Sequence, residues 1–233
     1  MKTVKFLFVL LFILSTPLQL FGRVTESAEN LLRIIHKVNR HWQENNSPQV
    51  RSFWDNAAYH TGNMEVYELT GNTAYLKYST DWAEYNHWKG AASDNKAEWR
   101  YGYGETPQYV LFGDWQCCFQ TYADLYGIRG DDRRIARARE VLEYQMGTDK
   151  NDYWWWADGL YMVMPVMTKL YRITKNPLYL EKLYEYFSYA DSVMYDPEAG
   201  LYYRDGSFVY PRHSILGGKK DFWARGDGWV LAA

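Results

Sequence analysis

One short pattern, present three times along the chain, decides the fold: YELTGNTAYL at residues 67–76, YGIRGDDRRI at residues 126–135 and YRITKNPLYL at residues 171–180. In each copy an aromatic residue ends a helical pattern, a polar turn follows, and an apolar residue begins the next helix. Gly71 and Gly130 suit helix C-termini, and Asn72, Asp131 and Asn176 suit the N-cap of the next helix. Each copy therefore predicts two antiparallel helices joined by a tight turn.

The residues beside these turns have the spacing of amphipathic helices. Leu180, Leu183, Phe187 and Ala190 recur at three- and four-residue steps. Long segments rich in aromatic residues and glycine alternate with the tight turns, at residues 98–114, 147–158 and 196–227. Stacked hairpins place such loops together at one end, where binding sites are built. We therefore predict an all-α fold, an (α/α)₆ toroid of helical hairpins.

The sequence also predicts features at the two ends of the chain. The pattern supplies roughly two thirds of the helices that an (α/α)₆ toroid requires, so we expect a toroid that is incomplete at its C-terminus. The apolar run FLFVLLFIL at residues 6–14 follows two lysines and is short for a membrane span, which is typical of a secretory signal peptide. We expect a signal peptide at residues 1–22, a toroid domain at residues 23–233, and export to the periplasm or the extracellular space.

The composition narrows the function. Aromatic residues make up 18% of the chain, and the net charge is only −2. A nucleic-acid-binding protein usually has a basic surface, so this class is not expected. Aromatic side chains combine an apolar face with a polar edge, which suits a sugar-binding cleft, although an aromatic helical core would use the same residues. The two cysteines, Cys117 and Cys118, are adjacent and predict neither a disulfide nor a metal site, so we expect them to be small buried residues.

Two aspartates follow long aromatic loops. Asp158 stands in YWWWADGLYM at residues 153–162, and Asp114 stands in FGDWQ at residues 112–116. A carboxyl group beside indoles is partly desolvated, which raises its pKa towards the range of a general acid. Either aspartate could instead be a helix N-cap. At equivalent positions of neighbouring hairpins the two face one funnel, which favours an acid–base pair acting on a glycoside.

A basic residue stands in a third aromatic segment, FWARGDGW at residues 222–229. Arg225 is a candidate clamp for a substrate carboxylate, unless it simply pairs with Asp227. His213 either titrates near neutral pH in the site or is a solvated loop residue. Trp54 is either a stacking platform for a sugar or part of the core.

The motifs GDWQ, WADGLYM and WARGDGW, in this order, resemble the unsaturated glucuronyl and rhamnogalacturonyl hydrolases of glycoside hydrolase families 88 and 105. The resemblance extends from about Trp54 to the C-terminus and implies an (α/α)₆ toroid. It also implies a glycosidase that removes a 4,5-unsaturated uronic acid from the non-reducing end of oligosaccharides left by a lyase, with unsaturated rhamnogalacturonan as the expected source. Such an enzyme hydrates the C4–C5 double bond and needs no metal or cofactor.

The resemblance also implies roles for individual residues. Asp158 would be the acid–base residue, and Asp114 would bind the sugar ring and tune Asp158. The aromatic walls and the groups that reach the uronate carboxylate or the next sugar would be Trp156, Trp223, Trp229, His213 and Arg225. Two alternatives remain open: another (α/α) toroid enzyme, such as a polysaccharide lyase or a different glycosidase, and an inactive exported fragment that binds sugar.

Overall fold

The computed structural model describes residues 27–233, so the expected signal peptide at residues 1–22 lies outside the described residues. The chain divides into two units, Met1–Ser47 and Pro48–Ala233. In the first unit the described residues form one helix, α1, over residues 27–45. None of the described helices is both long and apolar enough to span a lipid bilayer.

The second unit is mainly helical, which confirms the predicted all-α class. Its helices are α2 (Trp54–Thr70), α3 (Thr73–Tyr85), α4 (Gly113–Gln116), α5 (Cys118–Ile128), α6 (Arg133–Met146), α7 (Asp158–Thr174), α8 (Leu178–Met194) and α9 (Ala224–Ala232). Two short strands, β1 (Tyr195–Asp196) and β2 (Leu201–Tyr202), pair antiparallel, with Tyr195 opposite Tyr202. A short 3₁₀ helix covers Lys96–Glu98.

The three repeated stretches form the predicted tight turns of the hairpins α2–α3, α5–α6 and α7–α8. Gly71 ends α2 at a φ of 67°, and the Asn72 side chain accepts a hydrogen bond from the Ala74 N–H at 3.0 Å. Lys175 takes the same left-handed conformation after α7, at a φ of 60°.

In the third turn the N-cap of α8 is Pro177 rather than the expected Asn176, whose side chain still accepts a hydrogen bond from the Leu178 N–H at 3.1 Å.

The middle turn also differs from its expected form. The cap predicted at Gly130 is wrong, because α5 ends earlier and its C-cap is Arg129 in an extended conformation. The N-cap of α6 is Asp132 rather than Asp131, although the Asp131 carboxylate still accepts a hydrogen bond from the Arg133 N–H at 3.1 Å.

Helix packing produces an inner row and an outer row. In the inner row α2 packs on α5, α5 on α7, and α7 on α9; α3, α6 and α8 each pack on their inner-row hairpin partners. Much of the core between them is aromatic, including the fully buried side chains of Trp82, Trp154, Tyr122, Tyr153, Tyr179 and Tyr186. These aromatic residues therefore form a helical core rather than a sugar-binding cleft. Cys117 and Cys118 are buried and free, as expected, and burial raises the pKa of both thiols.

A buried histidine joins α2 to α3. His60 stacks on Trp82, with 3.9 Å between the ring centroids, and its Nδ1 lies 3.1 Å from the Ser79 hydroxyl oxygen. Burial lowers the pKa of His60 from its usual value of 6.5 to about 3. The folded protein therefore holds this ring neutral at pH values where the unfolded chain protonates it.

His60→Phe tests this coupling, because phenylalanine keeps an aromatic ring on Trp82 and removes the titration. Between pH 6.5 and about 3 the unfolded parent binds a proton that the folded parent does not, so the parent should lose about 1.4 kcal/mol of stability per pH unit through this residue. We expect the variant to be less stable than the parent at pH 8. The difference between their free energies of unfolding should shrink as the pH falls, because only the parent loses stability through residue 60. Urea unfolding from pH 8 to pH 4 measures this, and parallel pH dependences would contradict it.

Candidate active site

One indole ring is inserted between the starts of α4 and α7. A Cβ atom placed on Gly113 would lie 3.0 Å from Cη2 of Trp156, and one placed on Gly159 would lie 3.0 Å from its Cζ3. Both distances are shorter than ordinary carbon contacts, so each position leaves just enough space for glycine. The Phe112 ring packs against the same indole, with 4.8 Å between centroids. Trp156 is 8% exposed and fixes the ends of both helices.

The two candidate aspartates adjoin these glycines. Asp114 follows Gly113 as the second residue of α4, and Asp158 precedes Gly159 as the first residue of α7. Both side chains are buried. The N-cap positions belong to Phe112 and Ala157, so the N-cap alternative is wrong for both aspartates. The Oδ1 atom of Asp158 is buried and has no hydrogen-bond partner among the described residues.

Burial changes the acidity of both groups. It raises the pKa of Asp114 to about 7, and the negative charges of Asp158, Glu105 and Asp55 add to this rise. Burial also raises the pKa of Asp158 to about 6, against the opposing positive charges of Arg225 and Arg204. The two carboxyl groups interact, so they titrate as a pair. This pair retains a proton at pH values where ordinary carboxyl groups are ionised.

Arg225 connects Asp158 to two further tryptophans. Its Nη1 atom lies 3.9 Å from Oδ2 of Asp158. Its guanidinium carbon lies 4.1 Å from the ring centroid of Trp223 and 6.0 Å from that of Trp54. The alternative pairing with Asp227 is wrong, because the Asp227 carboxylate accepts a hydrogen bond from the Tyr202 N–H at 2.7 Å. The guanidinium is half-exposed and faces the aspartate from α9.

Trp229 and His213 differ in their relation to this cluster. Trp229 packs on Tyr161 of α7, one turn beyond Asp158, with 4.5 Å between the ring centroids. The His213 Nε2 atom lies 2.7 Å from Oδ2 of Asp221, and its ring packs on Phe208 at 4.4 Å. Among the contacts of the described residues, none joins His213 to either aspartate. Trp229 therefore adjoins the helix that carries Asp158, whereas the contacts of His213 are with its own loop.

Sequence reasoning missed two groups near the aspartates. The Arg204 carbonyl oxygen accepts a hydrogen bond from the Ala157 N–H at 2.8 Å, directly before Asp158. Glu105, whose charge acts on Asp114, forms an ion pair of 2.5 Å with Arg51. Both groups come from irregular segments without a repeating pattern. In the sequence, Arg204 is visible only as the first residue of RDG after β2, and Glu105 only as a charged residue in the long loop 98–114.

These features define a class of protein: a helical-hairpin scaffold with a buried carboxyl pair that can exchange protons, an adjacent guanidinium that can bind an anion, and tryptophan side chains. Residues 28–233 match Glycosyl Hydrolase Family 88, and the chain belongs to this family. The expected (α/α)₆ toroid architecture agrees with this membership and with the fold of its relatives.

Three relatives show where the similarity lies. An unsaturated 3S-rhamnoglycuronyl hydrolase of Formosa agariphila is 27% identical over 188 residues, which are 76% of this chain and 48% of that protein. A solved family 88 glycosyl hydrolase from Bacteroides vulgatus is 68% identical, with a TM-score of 0.86 over 87% of this chain and 58% of its own. A solved polysaccharide lyase is 70% identical, with a TM-score of 0.85 over 88% of this chain and 58% of its own. The chain thus spans about half the length of that curated relative.

Gly113→Ala tests the packing of Trp156. The added methyl group presses on the indole and on Val163, so we expect a loss of about 1–3 kcal/mol in the free energy of unfolding. Gly127→Ala is the matched control, because a Cβ atom there meets open space on α5, and it should be neutral or stabilising by up to about 1 kcal/mol. Denaturant unfolding measures both, and equal effects would contradict the account.

Asp114→Asn tests the buried charge. The folded pKa of about 7 lies above the usual value of 3.8, so the stability of the parent falls as the pH rises through this interval. Asparagine does not titrate. The free energy of unfolding of the variant, relative to that of the parent, should therefore rise by on the order of 1 kcal/mol per pH unit from pH 4 towards pH 7. A stability difference that is the same at pH 4 and pH 8 would show that Asp114 is not held protonated.

Proposed function

We propose that this protein removes a 4,5-unsaturated uronic acid from the non-reducing end of oligosaccharides that a polysaccharide lyase has produced. The observation that carries the proposal is the buried pair Asp114 and Asp158, both with raised pKa, beside the Arg225 guanidinium and the indoles of Trp54 and Trp223. Membership of Glycosyl Hydrolase Family 88 and the hydrolase relative support it.

The reaction is an addition of water across the C4–C5 double bond of an enol ether. Asp158 donates a proton to C4, and water adds at C5 while giving up a proton that restores the carboxyl group. The resulting hemiketal opens, and the sugar that was attached at C1 is released. Protonation of carbon requires an acid that still holds its proton near neutral pH. The raised pKa of Asp158 and its Oδ1 atom, which lacks a partner among the described residues, suit this role.

The neighbouring side chains have supporting roles. Asp114 binds the sugar ring and keeps a proton within the carboxyl pair. Arg225 binds the uronate carboxylate, because a guanidinium matches the two carboxylate oxygens. The aromatic walls of the site are the side chains of Trp54, Trp156, Trp223 and Trp229. The group that reaches the next sugar is His213.

The name of the Formosa agariphila relative favours a rhamnose residue next to the unsaturated uronate. Fragments of rhamnogalacturonan are one source of such a linkage.

We also propose that residues 1–22 direct export, because of the apolar run at residues 6–14. Residues 23–233 would then form the catalytic toroid domain, which the family match over residues 28–233 supports. Fractionation of cells that produce the protein, with detection in the cytoplasm alone as the contrary result, checks the export.

A second candidate function is that of a polysaccharide lyase, which the relative of 70% identity favours. A lyase removes the C5 proton of an intact uronate and breaks the C4–O bond, so it creates the double bond that the hydrolase consumes. In that reaction Arg225 neutralises the uronate and an ionised carboxylate of the pair takes the C5 proton. The other carboxyl group, still protonated, gives its proton to the oxygen that leaves C4. Ultraviolet absorbance distinguishes the two reactions: it falls on an unsaturated disaccharide for the hydrolase and rises on an intact polysaccharide for the lyase.

Asp158→Asn tests the role of the acid. We expect the loss of absorbance on unsaturated disaccharides to slow by on the order of 100-fold or more, because the amide donates no proton to carbon. Asp81→Asn, at an exposed position of α3 that pairs with Lys77, is the matched control and should retain the parent rate. Parent activity in Asp158→Asn would exclude this aspartate as the acid.

The pH profile tests the same role from another direction. The required form of Asp158 is the protonated one, so kcat/KM should fall as the pH rises above about 6. The charge of Arg225 lowers the pKa of Asp158, and Arg225→Gln should therefore move this limb to higher pH while weakening binding. A limb that stays in place would remove Asp158 as the titrating group.

A further inference from the structure

The aspartate of the FWARGDGW segment bonds to the backbone of another segment. Asp227 lies on α9, two residues after Arg225, and its carboxylate accepts a hydrogen bond from the Tyr202 N–H of β2 at 2.7 Å. A hydrogen bond to a charged acceptor is stronger than one between neutral groups. Asp227 therefore binds α9 to the β1–β2 hairpin.

The hairpin is itself fixed on two sides. The Tyr202 hydroxyl donates a hydrogen bond to Oδ1 of Asp191 in α8. Just beyond β2, the Arg204 carbonyl oxygen accepts the Ala157 N–H at 2.8 Å, directly before Asp158. A helix that is bonded to this hairpin is thus placed relative to the candidate acid.

The short helix α9 depends on such contacts for its orientation. It has nine residues, and a helix of this length is marginal in water by itself. Two of its contacts are apolar: a Cβ atom placed on Gly226 would lie 3.4 Å from Cβ of Ala157, and Trp229 packs on Tyr161. Apolar contacts are not directional, whereas a hydrogen bond is. The bond to Asp227 therefore fixes the rotation of α9 about its axis.

This rotation determines where the guanidinium of Arg225 lies. Residues two apart on an α-helix are separated by about 200° around its axis, so Arg225 and Asp227 leave α9 on nearly opposite sides. The Nη1 atom of Arg225 lies 3.9 Å from Oδ2 of Asp158, which is longer than a hydrogen bond, and the side chain is 54% exposed. Asp158 thus does not hold the guanidinium, whose place is set by the backbone of α9 and by the Trp223 ring at 4.1 Å.

We propose that Asp227 is a positioning residue, which sets the place of the Arg225 guanidinium beside Asp158 and thereby the affinity of the site for the uronate carboxylate. This inference rests on the proposed function, since it takes Arg225 to bind that carboxylate. The Tyr202 N–H requires an acceptor oxygen at residue 227 rather than a negative charge. Asparagine supplies such an oxygen, and alanine and leucine do not.

Steady-state kinetics on an unsaturated disaccharide tests the proposal. Asp227→Ala and Asp227→Leu both remove the acceptor, and leucine is close to aspartate in shape. We expect KM to rise by about tenfold in both, as for the loss of a charge-assisted contact, with little change in kcat. Asp227→Asn should retain the KM of the parent.

The pH profile provides a second measurement. The positive charge of Arg225 lowers the pKa of Asp158, so withdrawal of the guanidinium should move the descending limb of kcat/KM to higher pH. We expect this shift in Asp227→Ala and not in Asp227→Asn.

A double variant separates positioning from structural support. Because the proposed effect acts through Arg225, adding Asp227→Ala to Arg225→Gln should raise KM no further. The matched control is Asp131→Ala, which removes another carboxylate that accepts a backbone N–H, that of Arg133 at 3.1 Å in the tight turn before α6. This control should keep the KM and the pH profile of the parent.

The outcomes separate this inference from the function on which it rests. The role of Asp227 is overturned, and the proposed function stands, if both acceptor-free variants keep the parent KM or raise it equally in Arg225→Gln. The same holds if Asp227→Asn is as impaired as Asp227→Ala, or if thermal unfolding shows that neither acceptor-free variant folds. If the parent does not consume the unsaturated disaccharide, the proposed function fails, and this inference fails with it.

Discussion

The packing of the Trp156 indole against Gly113 and Gly159 is the contact on which the rest of the site depends. Each glycine adjoins one of the aspartates, so a single buried ring determines where α4 and α7 present Asp114 and Asp158. Burial raises the pKa of both carboxyl groups, and a group whose charge is disfavoured in this way lowers the stability of the folded protein at neutral pH. Such a loss of stability at a functional site is the usual companion of useful acid–base chemistry.

The helical scaffold brings three separate segments to this ring. The inner helices place the starts of α4 and α7 side by side. The β1–β2 hairpin then joins the site to α9, because the Ala157 N–H is bonded to the Arg204 carbonyl oxygen and the Asp227 carboxylate accepts the Tyr202 N–H. These contacts hold the guanidinium groups of Arg204 and Arg225 in segments that adjoin the carboxyl pair.

Local patterns predicted most of the fold and indicated the two aspartates of the candidate site. The turns after Tyr67 and Tyr171 are held by hydrogen bonds between residues close in sequence, so the sequence predicts them. The end of α5 was predicted at the wrong residue, because its C-cap is Arg129. The aspartates were found because aromatic motifs surround them. The partner of Asp227 and the place of Arg204 were not found, because they depend on contacts between distant segments that no spacing encodes.

The indole of Trp156 packs beside a carboxyl pair that keeps a proton near neutral pH. The most direct measurement is a titration of ¹³C-labelled aspartate carboxyl groups by nuclear magnetic resonance. Two resonances should titrate with apparent pKa values near 6 and 7, and these transitions should be altered or lost in single asparagine variants of Asp158 and Asp114. If every aspartate titrates in the ordinary range of about 3 to 5, the pair is not held protonated and the account is wrong.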